Sequence, residues 1–356
     1  MSSVHTLSSL SKPLPAAPAS PAPAPATQPR LHLYPITTDH ASSVFKDIQA
    51  GPHRTVMPSF SSPYEERQYR KEHLALVFRA LHRQGLGEGV AGHCSTRDPV
   101  EPSTFWVNPQ GRSFARMRVS DLVRVNEDGE VVEGDRPVDA SATSIHAPIY
   151  KARGRGYGQV GGSESGVEAV VHVHGPHSKV FLATTSASGT SKNDTGLEQV
   201  EIMTDSCSAF SALGRQLDRI NQDVCAFDGT TVLVPFGGVV IDSLEGQRIG
   251  SHLKPDTKVA LLQNHGALCL GRLSIDEAAW WQISYEMCCR AQLLVDAASH
   301  RSAGPAGADL PQGVIRVGDE ECEGTKQELG TAEMGWFSMG PYIEDEIWES
   351  KGDHLL

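Results

Sequence analysis

Residues 169–179 read AVVHVHGPHSK and set His172 and His174 two positions apart in an otherwise apolar run. Such a run reads as a buried strand, in which residues i and i+2 project from the same face. Two buried imidazoles side by side must each satisfy their ring nitrogens away from water. One reading makes one of them a satisfied core histidine and places the other at a surface. The sharper reading has both hold one metal ion, with a third nitrogen supplied from elsewhere in the fold. His265 is the candidate, because it closes the apolar stretch KVALLQ, 258–263, and is followed by Gly266, where the backbone turns closely. Three histidines with an open fourth position describe a catalytic rather than a structural zinc site. Zn2+ is the expected ion, although neutral imidazoles also accept iron, manganese and cobalt.

The rest of the chain suits a soluble α/β protein. Its 356 residues are 39% hydrophobic and 21% charged, and no apolar run reaches the roughly 18 residues that span a bilayer. A net charge of −12 argues against a nucleic-acid partner, which needs clustered lysine and arginine. Seven scattered cysteines without CxxC spacing point to a reducing, cytoplasmic compartment. Residues 1–60 form a Pro/Ala/Ser-rich region predicted to be disordered. A folded domain is expected over 61–300, and an acidic extension over 301–356, docked in part through Trp336, Phe337, Tyr342 and Trp348.

Within the domain, helical spacing predicts helices over 64–84, 140–153 and 274–298, with Asp139 or Ser141 capping the second and Ser274 the third. EDGE, 127–130, signals a hairpin. VCAFDGTTVLVPFGGVVID, 224–242, reads as strands joined by glycine turns, and ALCLG, 267–271, as a continuation of the strand before NHG. The irregular alternation of elements favours a mixed sheet flanked by helices over a doubly wound parallel one.

GHCSTRDP, FWVNPQG, VSDLVRVNEDGEVVEG, HAPIYKAR, AVVHVHGPHSK, PFGGVVID and LLQNHGALCLG, in this order between about Arg70 and Ala298, resemble the class II aldolase/adducin family. The resemblance implies a three-layer α/β/α domain with a mainly antiparallel central sheet. It implies a divalent ion on His172, His174 and His265, and a homotetramer with active sites at subunit interfaces. It also implies a small-molecule substrate held by donors at Gly92, Ser95, Asn108, Gly111 and Ser141.

The chain departs from the family pattern where proton transfer belongs. The family's aldolases carry a Glu four residues before the helical histidine, here His146, and that position is Ala142. Their proton-donating Tyr falls near Gln222. His93 and Ala140 replace the usual Asn and Ser of the phosphate pocket. Asp139 and the tail residue Tyr342, the latter from a neighbouring subunit, are the candidates left for proton transfer. His177 reads as a surface or supporting group and His146 as packed between helix and sheet.

These features imply a divergent metal-dependent lyase, of aldolase or decarboxylase type, acting on a small carbonyl or hydroxy acid. A non-catalytic adducin-like scaffold is the alternative, disfavoured by the three histidines and the acidic tail. Two stretches exceed the family pattern, about 154–165 and 180–208. They read either as loops that shape a substrate lid or as retained intron sequence.

Overall fold

A computed structural model describes residues 35–45, 47–156, 159, 162–163, 165–181, 217–238, 243–300 and 314–356. The second insert beyond Phe181 and residues 157, 158, 160, 161 and 164 of the first thus lie outside the described residues, as does the Pro-rich start of the chain. Described structure begins at Pro35, ahead of the boundary near residue 60 drawn from composition. Short strands β1 (Ile36–Thr37) and β2 (Arg54–Thr55) pair antiparallel, and Phe45 between them packs on Trp336 and Phe337 of the C-terminal region.

The domain then runs through α1 (Pro63–Arg83), β3 (His93–Arg97), β4 (Thr104–Val107), β5 (Val123–Asn126), β6 (Val131–Glu133) and α2 (Ala140–Arg153). It continues with β7 (Ala169–Val173), α3 (Pro176–Phe181), α4 (Gln222–Cys225), β8 (Thr231–Val234), α5 (Ser243–His252), β9 (Val259–Leu262), β10 (Gly266–Gly271) and α6 (Ile275–His300). Helices α7 (Asp319–Leu329) and α8 (Ala332–Ser350) follow. The main sheet has eight strands in the order β6-β5-β4-β3-β7-β10-β9-β8. Every adjacent pair is antiparallel except β8 with β9.

Side-chain alternation divides the core into two layers around this sheet. Ala169, Val171 and Val173 of β7 join Leu74, Phe78 and Leu81 of α1 and Trp281 and Tyr285 of α6, with Met339 and Ile343 of α8 behind them. Val170 faces the opposite way, toward Ile145, Ile149 and Tyr150 of α2 and Ile249 and Leu253 of α5. The result is the predicted α/β/α sandwich around a mainly antiparallel sheet.

Local sequence explains the elements. Ser62 accepts a hydrogen bond from the Glu65 amide and Pro63 opens α1, where its missing N–H is no loss. Asp139 caps α2 through the Ser141 amide, as predicted. In α2, Pro148 cannot donate to the Ser144 carbonyl four residues earlier. Gly246 of α5 lies against that carbonyl, so closely that a Cβ there would stand 1.7 Å from it. The Ser274 hydroxyl accepts from the Glu277 amide, while the Glu277 carboxylate turns to the amides of Arg272 and Leu273 and to the Trp281 indole.

Two expectations are corrected. VCAF is the end of α4 and the turn after it rather than a strand, because Asn221 caps that helix by accepting from the Val224 amide. ALCLG does not continue the strand before it. The chain reverses through Gln263–His265, with Asn264 in the left-handed region at φ 54°. Strand β10 then returns antiparallel to β9.

The aromatic residues of the C-terminal region differ in their surroundings. Trp336 is buried, and its indole donates to the Tyr69 hydroxyl on α1. Tyr342 packs on Trp280 of α6. Trp348, by contrast, is 77% exposed. Among the described residues no helix is long and apolar enough to cross a membrane.

A buried ion pair anchors α1 to the start of the strand that carries His172 and leads into His174. Arg70 donates to the Glu168 carboxylate and to the Arg97 carbonyl, and Glu168, 0% exposed, also accepts from the Gly156 amide. Removing one partner leaves the other charge buried and unpaired, a cost of about 3–5 kcal/mol. Glu168→Ala is therefore expected to lower the unfolding free energy by that amount in denaturant titrations. Asp128→Ala, which breaks the exposed pair with Lys151, should leave it unchanged.

Candidate metal centre

Strand β7 lies between β3 and β10, with His172 opposite His93 on one side and Leu268 on the other. His172 faces the α2 layer. His174 follows the strand, and His265 arrives from the β9–β10 turn directly before Gly266. The three ring centroids stand 4.8–5.1 Å apart, and one ligand nitrogen from each lies within 4.8 Å of the others. A Cβ at Gly266 would stand 2.9 Å from the Val173 carbonyl oxygen and 3.0 Å from the His174 ring. Glycine is what lets the turn bring His265 this close.

The donor chemistry fits a divalent ion. The His172 Nδ1–H donates to the Ala267 carbonyl at 2.9 Å, and the His174 Nδ1–H donates to the Glu88 carboxylate at 3.0 Å. A neutral ring that donates from Nδ1 keeps its lone pair at Nε2, so both rings present a bare nitrogen. Burial pushes the His172 pKa well below the ordinary 6.5, and the neighbouring His93, His265 and His174 push it further. The ring is neutral at physiological pH, as a metal ligand must be.

Behind the three histidines lies a second polar cluster in the same layer. His93 is 3% exposed, with its ring centroid 4.9 Å from that of His172. Its Nδ1 lies 2.7 Å from His146 Nε2 on α2. His146 Nδ1 lies 2.7 Å from Ser95 Oγ, which lies 2.8 Å from the Tyr150 hydroxyl. Burial, then the neighbouring His172, lowers His146 to about 3. Burial likewise holds His93 well below 6.5 and raises Tyr150 above its usual range.

The other candidates from sequence fall into distinct places. Ser95 is fully buried and engaged with His146 and Tyr150, so it faces the α2 layer rather than a ligand. Asn108 bridges within its own chain, accepting from the Cys94 amide and donating to the Gly92 carbonyl. Gly92 and Gly111 have φ of 90° and 77°, conformations that favour glycine. Ser141 is half-buried with its Oγ 3.3 Å from His93 Nε2.

Asp139 accepts from the Ser141 amide and hydroxyl and from Gln110 Nε2, a capping role. Tyr342 lies on the α6–α8 side against Trp280. His177 turns to Glu286, whose carboxylate also accepts from the His177 and Ser178 amides. Ala142, where the family's aldolases carry Glu, is buried among the apolar side chains of the α2 layer. Sequence reasoning missed Glu88 and the polar role of His93. His93 and Ser95 share a strand face, and His146 and Tyr150 share a helix face four residues apart. Those two patterns were the available signal.

A mainly antiparallel sheet in three layers, carrying three convergent imidazoles at its centre, defines a class of α/β/α domains with a candidate divalent-metal site. Residues 72–293 match the family described as Class II Aldolase and Adducin N-terminal domain, and the chain belongs to it. Decarboxylase NovR of Streptomyces niveus is 32% identical over 290 residues, which cover 81% of this chain and 87% of that protein. The 4-hydroxy-3-prenylphenylpyruvate oxygenase/4-hydroxy-3-prenylbenzoate synthase of Streptomyces roseochromogenus subsp. oscitans is 32% identical over 291 residues, 81% of this chain and 85% of that protein. Among solved structures, L-fuculose 1-phosphate aldolase from Glaciozyma antarctica PI12 superposes with a TM-score of 0.63 at 30% identity, covering 84% of this chain and 97% of that one.

The buried neutral rings set a pH dependence. A histidine whose folded pKa lies below its unfolded value stabilises the fold fully above the unfolded value, and that stability is lost as pH falls toward the folded one. For His146 the window runs from 6.5 down to about 3. Metal-free protein is expected to lose on the order of 1 kcal/mol of unfolding free energy per pH unit through this group as pH falls from 6 toward 4. Denaturant titrations between pH 7 and 4 measure it, and a flat profile would contradict the buried neutral assignment.

Proposed function

We propose that the chain is a metal-dependent lyase that cleaves the carbon–carbon bond beside the carboxylate of a small 3-oxo acid, a decarboxylase-type reaction, with zinc as its ion. The observation that carries this reading is the convergence of His172, His174 and His265, two of them oriented by acceptors at Nδ1. A divalent ion held there supplies Lewis acidity toward the oxygens of a carbonyl compound.

The missing carboxylate selects among lyase chemistries. Aldol cleavage begins by removing a proton from a substrate hydroxyl and requires a base of suitable pKa. Ala142 offers none, and Gln222 cannot exchange a proton near neutral pH. Loss of carbon dioxide from a 3-oxo acid needs no such base, because the electron pair of the broken bond is delocalised onto the ketone oxygen as an enolate, which then takes up a proton at carbon. The name of the NovR relative supports this choice. In this reading Gly92, Asn108, Gly111 and Ser141 shape the substrate side of the pocket, and the buried α2 layer excludes water behind it. Assembly as a homotetramer, with Tyr342 offered as a proton donor from a neighbouring copy, belongs to the same proposal.

The second relative favours a variant of this reading, since its name includes an oxygenase acting on an arylpyruvate. Three imidazoles accept iron as well as zinc. Metal analysis of the purified chain, with carbon dioxide release from 3-oxo acids and from 2-oxo acids followed under argon and under air, separates the two. Zinc near one equivalent with equal release in both atmospheres is expected, and His265→Ala should lose the metal and at least about 10³-fold in rate. Iron with release only in air would move the assignment to the oxygenase. Protein without metal or turnover would return it to a scaffold.

A further inference from the structure

The cluster behind the metal ligands is a single file of hydrogen-bonding groups, and its protons have one arrangement that satisfies all of them. The Tyr150 hydroxyl is buried with Ser95 Oγ as its partner, so the phenol must donate to Ser95. Ser95 then spends its own proton on His146 Nδ1. A neutral imidazole that accepts at Nδ1 carries its hydrogen at Nε2, so the His146 Nε2–H donates to His93 Nδ1 across 2.7 Å. This contact has room for one proton, and His93 must carry its own at Nε2.

The far end of the file agrees independently. Ser141 donates its hydroxyl proton to the Asp139 carboxylate. Its oxygen is then an acceptor, and it faces His93 Nε2 at 3.3 Å. Read from Tyr150 or from Asp139, the order of protons is the same.

We infer that His93 is a fixed N–H donor of the active site, a specificity-determining residue that binds a carboxylate oxygen of the substrate through Nε2. The inference rests on the oxo-acid reading above for the ligand, and on the hydrogen-bond file alone for the donor. His93 stands 4.9 Å from His172, the spacing that the three ligands keep among themselves. A bare Nε2 there would be a natural fourth ligand or a base, and the file denies it both roles by placing a proton on it. The 3.3 Å contact with Ser141 is at the long end for N–H···O. An incoming carboxylate makes a shorter, charge-assisted bond and takes its place. Releasing this proton to substrate would leave a buried phenolate at Tyr150, so His93 orients and stabilises charge rather than passing a proton on.

The test has two arms on the full chain. In the metal-free protein labelled with 15N-histidine, protonated and bare ring nitrogens give separate resonances, and His93→Gln assigns the signals. His93 protonated at Nε2 and bare at Nδ1 is the expected result. The opposite tautomer overturns the donor assignment and leaves the lyase reading untouched. In zinc-loaded protein, oxalate affinity is measured by titration calorimetry. His93→Leu should retain zinc and weaken oxalate at least about tenfold, while His93→Gln, which keeps an N–H donor, should recover most of the loss. Unchanged oxalate affinity in His93→Leu overturns the inference, as does loss of zinc, which would make His93 a ligand. Wild-type protein that binds zinc but no oxalate overturns it together with the oxo-acid reading. If His93→Leu does not fold, the ring protonation of the wild type still decides the donor.

Discussion

Strand β7 alternates, and its alternation divides the molecule. Val171 and Val173 enter the layer of α1 and α6, so Val170 and His172 must enter the layer of α2. A slip of one residue would bury the imidazole against α1 and turn the valines toward the site, which two packed layers forbid. Pairing on both sides fixes the strand further, because β3 and β10 hold it through His93 and Leu268. Everything polar in the site follows from this register. His93 and Ser95 lie on the same side of β3, and α2 meets them with His146 and Tyr150.

What was legible in the sequence is what depends on period and turn chemistry. HVH in an apolar run discloses a shared face without reference to any other element. NHG discloses a turn, and Gly266 proves necessary because a side chain there would collide with the Val173 carbonyl oxygen and crowd the His174 ring. The EDGE hairpin joins β5 to β6 as its composition requires. What failed were short apolar stretches whose identity is set by neighbours. VCAF has strand-like residues, yet Asn221 caps a helix turn there. ALCLG lies beside KVALLQ in sequence and reverses in space, since left-handed Asn264 ends one strand and starts the next.

The polar file from Tyr150 to Asp139 was out of reach for a different reason. Its members come from β3 and from two turns of α2, and hydrogen-bond direction exists only once the groups face each other. Sequence reading treated Ser95 as a ligand donor and Asp139 as a spare carboxylate. The fold spends both. Ser95 has one proton and gives it to His146, and Asp139 accepts from Ser141 while capping α2. Buried polar groups with every proton assigned resist rearrangement, because reversing one bond leaves another unsatisfied at the end of the line. A cluster of this kind holds side chains in place more strictly than apolar packing does.

Replacement of a carboxylate by Ala142 also changes the charge of the site. With a glutamate beside them, three neutral imidazoles and a divalent ion carry a net charge of about one; without it the charge is two. At a site where His172 and His93 are buried this difference is weakly screened, and it favours a substrate that brings its own negative charge. An acid does so and a neutral carbonyl compound does not. The change that removes the base for aldol chemistry thus improves the site for a carboxylate. His93 acts in the same direction, since an N–H donor at a buried position binds an anionic oxygen more strongly than a neutral one. On the oxo-acid reading proposed above, Ala142 and His93 act together, both favouring a substrate that carries its own negative charge.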